Sequence, residues 1–120
     1  MTQAFSIQVR RVYDPPGPDD GARILVDRLW PRGVSRERAH LTLWLRDIAP
    51  STELRKWFAH DPEKWSEFRR RYEAELDDNP AAVAEIMKIA GQGRVTLLYG
   101  ARDTQHNEAV VLADWLRARN

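Results

Sequence analysis

The stretch from Ile24 to Val34, Ile-Leu-Val-Asp-Arg-Leu-Trp-Pro-Arg-Gly-Val, constrains this chain more than any other. Three apolar residues in a row, Ile24-Leu25-Val26, suit a strand covered on both faces, and charge enters only where that strand would end, at Asp27 and Arg28. Open α/β sheets keep their ligands at such strand exits. Pro31 and Gly33 stop the strand and bend the chain, which puts Arg28, Trp30 and Arg32 on a rim instead of in a core. The pattern points to an anionic ligand.

A second nearly continuous apolar run, Val95-Thr96-Leu97-Leu98-Tyr99, predicts another buried strand. After it, Gly100-Ala101-Arg102-Asp103-Thr104 turns the chain into a helix predicted from about Gln105 to Arg117, with Val110, Ala113 and Leu116 inward and Asp103 or Thr104 as its cap. Near the start, Phe5, Ile7 and Val9 alternate with Ser6, Gln8 and Arg10, the period of a half-covered outer strand over residues 5–12. The loop that follows, Asp14 to Gly21, is short for the crossover of about a dozen or more residues that parallel neighbours need. An antiparallel first pair is therefore open beside a parallel one.

Helix signals fill the middle. Ser35 caps a short piece, Arg36 to His40, and residues 41–49 carry no clear period. Pro50-Ser51-Thr52 starts a helix to about Ala59 with Leu54, Trp57 and Phe58 on its apolar side, and Asp61-Pro62 opens one whose stripe is Trp65, Phe68, Tyr72 and Leu76. Asn79-Pro80 opens another, with Val83, Ile86, Met87 and Ala90 inward and Gly91 near its end. Strand, helical section, strand, helix predicts an α/β fold: a small, mainly parallel sheet of about three strands flanked by helices, in one domain over residues 1–120. Of the five tryptophans, Trp44, Trp57, Trp65 and Trp115 are core candidates, each able to cover roughly 150–250 Å².

If the two buried strands are parallel neighbours, their ends face one side, and Arg28 and Arg32 meet Arg102, Asp103, His106 and Asn107 there. The first backbone N–H groups of the final helix add a weak anion seat. Each residue also has a plainer role. Asp103 serves as a helix cap without any reaction, Arg28 pairs with Asp27 or Asp103, and His106 is a hydrogen-bonded structural residue as readily as a general base.

Composition excludes several classes. Cysteine is absent, which removes disulfides, thiol nucleophiles and thiolate metal sites together. His40, His60 and His106 lack the paired spacing of a zinc site, no serine lies in a Gly-x-Ser-x-Gly turn, and there is no phosphate loop. Neither a metal nor another cofactor is expected. A formal charge of +1 sets up no strong field toward nucleic acid or an anionic membrane. On a helix, Arg69-Arg70-Arg71 is laced with Glu67, Glu73 and Glu75 at spacings of four, so the run is a salt-bridged face before it is a nucleic-acid patch. No stretch reads as a signal peptide or membrane span, so cytoplasmic residence is the expectation.

Taken together, Arg11-Val12-Tyr13-Asp14, Leu25 through Gly33, Ile48-Ala49-Pro50-Ser51, Leu54-Arg55-Lys56-Trp57-Phe58 with His60-Asp61-Pro62, and Leu97-Leu98-Tyr99 with Asp103-Thr104 and His106-Asn107 resemble the short, YeaO-like branch of the DUF488 family of uncharacterised bacterial proteins. The resemblance runs nearly end to end. It implies an α/β fold with a mainly parallel sheet and no established activity. Longer members carry a Cys-His-Arg triplet where this chain has Asn107-Glu108-Ala109, so thiol or arginine chemistry does not carry over. Some short members bear a transcriptional-regulator label that the residues here do not support.

Two readings follow. In the first, an enzyme-like domain binds a small phosphorylated or carboxylated molecule, such as a nucleotide: Arg28 and Arg32 clamp it with help from Lys56 and Arg102, Asp103 and His106 are the acid-base candidates, Trp30 and Tyr13 form walls, and Asp27 and Asn107 complete the site. In the second, the same arginines serve a non-catalytic module for nucleic acid or a protein partner.

Overall fold

In the computed structural model, which describes residues 5–119, the first strand, β1 (Ile7–Arg11), runs along one edge of a four-stranded sheet. Then come β2 (Ala22–Leu25), α1 (Arg36–Ala39), β3 (Leu43–Trp44), a 3-10 turn (Arg46–Ile48), α2 (Thr52–Phe58), a second 3-10 turn (Pro62–Lys64), α3 (Trp65–Asp77), α4 (Pro80–Ala90), β4 (Val95–Tyr99) and α5 (Glu108–Ala118). The spatial order is β1-β4-β2-β3, and every pairing is parallel.

This order settles the choice left open for the first pair. β1 and β2 are not neighbours, because β4 lies between them and pairs with both. The loop between β1 and β2 crosses the sheet without a helix, and at roughly 3.3 Å per residue it is long enough to return the chain to the start of β2. The fourth strand comes from the stretch without a clear period: Leu43 pairs with Ile24 and Trp44 with Leu25, too short a strand to display alternation.

Strand alternation sorts the two faces. Ile7, Ile24, Val26, Val95, Leu97 and Tyr99 face a core completed by Phe58, Phe68, Tyr72, Leu76, Ile86, Leu112 and Leu116 from the helices. On the other face, Leu25 and Leu98 pack with Val12 and Ala39 under a cover that includes Trp30 and Trp44. Fully burying a Leu or Ile contributes about 1.5–3 kcal/mol, so the central pair β2–β4 anchors the fold. Of the expected core tryptophans only Trp115 is buried; Trp57 and Trp65 pack against the helical core half-buried, and Trp44 does so on the other face.

Beside the smaller cluster lies a buried polar knot. Asp20 and Arg23 form an ion pair; Gln8 Nε2 donates to Asp20 Oδ1 at 2.9 Å, Gly17 N to Oδ2 at 2.9 Å, and the Thr96 hydroxyl to the Asp20 carbonyl at 2.7 Å. Every partner comes from β1, β2, β4 or the loop crossing them, so this knot clamps that loop to the sheet. Gly21 beside it sits at φ +65°, where a Cβ would come within 2.1 Å of the Arg94 carbonyl oxygen.

Candidate functional site

Because β2 and β4 are adjacent and parallel, their C-terminal ends emerge together. Val26 N donates to Leu98 O at 3.0 Å, and one residue on, Gly100 N donates to Asp27 Oδ2 at 2.9 Å. That second bond ties the two exits through a side chain. Glycine at 100 leaves room for this approach, since a Cβ there would stand a tight 3.0 Å from the same oxygen.

Above these exits opens a cleft of about 290 Å³. Asp27, Arg28, Trp30 and Arg32 line it from the β2 side, Tyr13 from the turn after β1, and His106 and Asn107 from the chain before α5. Three expected members stand outside it. Lys56 and Arg102 are exposed and do not line the cleft, and Asp103 reaches it only through His106. For Lys56 the reason is helix phase: Leu54 and Phe58 point inward on α2, and Arg55, one step along, lines the cleft while Lys56 is carried round to solvent.

Arg28 is not paired with Asp27 or Asp103. Its Nε donates to Pro50 O and its Nη2 to Ala49 O, both at 3.1 Å, so main-chain carbonyls at the start of α2 hold the guanidinium in a fixed plane. Tyr13 donates its hydroxyl to Arg32 O at 2.8 Å, and the Trp30 indole N–H donates to Val34 O at 2.6 Å, which pins the Trp-Pro-Arg-Gly turn as a wall. Trp30 also meets Trp44 edge-on at 5.2 Å.

The last helix begins later than its pattern suggests. Asp103 accepts Gln105 N and His106 N at 2.9 and 3.0 Å, closing a turn, while Asn107 is the N-cap, its side-chain oxygen taking Val110 N at 3.1 Å. Two polar residues compete for one role, and the second wins because Asn107 also donates to Asp103 O at 3.0 Å, stacking turn and helix. His106 therefore precedes the helix. Its Nδ1 lies 2.9 Å from Asp103 Oδ2 and its ring meets Trp65 edge-on at 5.1 Å. The bonds from Gln105 N and His106 hold the Asp103 carboxyl below its ordinary value.

Sequence reasoning missed three polar lining residues: Arg55, His60 and Glu108. Glu108 heads α5, where the helix dipole favours a charged carboxylate. Burial nevertheless raises its carboxyl well above the usual range, helped by the charge of Asp27 and a hydrogen bond between the two carboxyls. His60 is held at φ +58°, directly after Ala59 at +48°. Phe58 and Phe68, stacked at 4.2 Å, complete the apolar wall.

Among the described residues no group of three or more His, Cys, Asp or Glu could hold a metal, and no helix is long and apolar enough to cross a membrane. The arginine run on α3 is neutralised. Arg70 and Arg71 hydrogen-bond Glu67 and lower its carboxyl to about 2, and Arg69 reaches Asp114 at 2.8 Å.

The chain belongs to the DUF488 family: over residues 6–120 it matches the model described as the inactive DUF488-N3 subclade. In particular it is similar to the uncharacterised protein YeaO of Escherichia coli (strain K12), 48% identical over 114 residues that cover 95% of this chain and 99% of YeaO. An uncharacterised protein of Mycobacterium tuberculosis (strain ATCC 25618 / H37Rv) is 43% identical over 119 residues, 99% of this chain and 100% of its own. No solved structure matches the chain.

Proposed function

We propose that the cleft binds a small anionic molecule, carboxylated or phosphorylated, at the C-terminal ends of β2 and β4. The observation that carries this reading is the state of Arg28: it lines the cleft with its guanidinium held by two carbonyl oxygens and, among the described residues, in no ion pair with a carboxylate. Arg32 and Arg55 add two further guanidinium groups on the same cleft, whose lining carboxyls are Asp27 and Glu108, the second raised by burial well above its usual range. Fixed guanidinium groups in a partly closed site cost little reorganisation when an anion arrives. The volume lies near the lower end of the range of about 300–1,000 Å³ typical of small-molecule sites.

Binding without turnover is the favoured form. The family description reads inactive, and the turn before α5 offers no thiol. The Asp103–His106 pair supports the second reading, in which His106 Nε2 acts as a base on the bound molecule. A nucleic-acid groove is disfavoured by the self-neutralised arginines of α3. The reading places the protein in the cytoplasm.

A thermal-shift screen of carboxylated and phosphorylated metabolites, with citrate and inorganic phosphate as first probes, tests it. Arg55 is exposed, so Arg55→Ala should leave the melting temperature within a degree or so while weakening a hit at least about ten-fold, a charge-assisted contact being worth about 1.5–3 kcal/mol. A screen without a single hit, or hits indifferent to Arg55→Ala, would sink the proposal. Affinity that collapses steeply with salt would transfer the site to a polyanion.

A further inference from the structure

We infer that the occupant of the cleft is a zwitterion, an amino-acid-like molecule with an apolar body, whose ammonium group sits on the Asp27–Glu108 carboxyl pair while its carboxylate faces the arginines. This deepens the anion-binding reading and rests on it.

The lining of the cleft carries charged groups of both signs. Guanidinium groups come from the turn after β2 and from α2, at Arg28, Arg32 and Arg55; two carboxyls come from the strand exit and the first turn of α5, at Asp27 and Glu108. Among the described residues neither carboxyl has an ion-pair partner. Gly100 N–H occupies Oδ2 of Asp27, and the Glu108 carboxyl stands beside it within hydrogen-bond reach. The other carboxyl oxygens on the cleft can accept N–H groups.

Each simple class of ligand leaves part of this site unmatched. A bare anion satisfies the arginines but meets the charge of Asp27 with nothing in between; a bare cation satisfies the carboxyls and is repelled by three guanidinium groups. A molecule carrying both charges satisfies both, and like-charge rejection of the two simpler classes is how such a site would discriminate. The same cleft has apolar lining as well, from Trp30, Leu29, Phe58 and Phe68, suited to an apolar body. About 290 Å³ suits a single amino acid and is small for a dinucleotide or a peptide.

Calorimetry on the intact protein with L-phenylalanine and with 3-phenylpropanoate, which lacks only the amino group, provides the test. The zwitterion should bind at least ten-fold more tightly. In the double variant Asp27→Asn/Glu108→Gln both side chains keep their size, and the amide oxygen introduced at position 27 can still accept Gly100 N–H, but the negative charge is gone. There the ten-fold preference should vanish while 3-phenylpropanoate binds as before or better. Equal binding of the two compounds to the native protein would overturn the inference and leave the anion reading standing, and this comparison holds even if the double variant does not fold. A preference that survives the double substitution would also overturn it, by removing the carboxyl pair as the seat. If L-phenylalanine does not bind a protein that does bind citrate or phosphate, the zwitterion is the wrong class; if no anion binds at all, the underlying reading falls with it.

Discussion

Glu108 shows how much a single residue's meaning depends on its neighbours. At the head of a helix a glutamate is ordinarily a charged, solvent-facing stabiliser. Here burial, together with the charge of Asp27 at the exit of β2, raises its carboxyl well above the usual range. Nothing within several positions of Glu108 in the chain announces this. Gly100 decides how close the partners come, and it supplies the N–H that holds Asp27 in place. Replacing it by alanine puts a methyl group 3.0 Å from Asp27 Oδ2, and overpacking of this kind costs about 1–3 kcal/mol. Gly100→Ala should therefore lower the urea midpoint and weaken any cleft ligand together; a variant as stable as the parent would show that the exits can separate freely.

Among the elements, those with local signals were legible and those defined by partners were not. Ser35 and Ser51 cap α1 and α2 as their positions suggest, each side chain accepting a backbone N–H at 3.1 Å. Asn79 does not cap α4 with its side chain: its amide donates to Asp47 O at 2.8 Å, because the 3-10 turn before α2 packs beside it. Asp61 caps the 3-10 turn that precedes α3. α5 is the instructive error. A stripe of apolar residues gives a helix its phase but not its first residue, and with Asp103, Thr104 and Asn107 all able to cap, only the tertiary turn chooses. Asn107→Ala should cost about 1 kcal/mol, read as a shift of the denaturation midpoint, while Thr104→Ala should leave it unchanged. The reverse result would restore the earlier helix start.

At the scale of the whole molecule, the loop between β1 and β2 depends on the Asp20–Arg23 knot. Burial alone would raise the Asp20 carboxyl; the N–H of Gly17 and the guanidinium groups of Arg23 and Arg10 outweigh it and bring the carboxyl below its ordinary 3.8. A folded-state value below the unfolded one stabilises the protein above about pH 4 and loses that contribution as pH falls through the lowered value. Urea midpoints measured from about pH 6 down to pH 2 should thus fall on the acid side, less steeply in Asp20→Asn. At neutral pH that variant should be less stable by about 3–5 kcal/mol, since it leaves Arg23 buried without its counter-charge. A flat acid limb in the parent would exclude Asp20 as its cause.

The amino-acid order alone determined which segments are apolar on both sides, where they must stop, and therefore that charged residues gather at the ends of β2 and β4; these properties belong to consecutive residues and need no partner to exist. Strand order, the two-residue strand β3 and the carboxyl pair at Asp27 and Glu108 were decided only in three dimensions. Each depends on which segments lie side by side. Hydrogen-bond ladders, burial and charge repulsion act through space between residues far apart in the chain, so no local pattern encodes them.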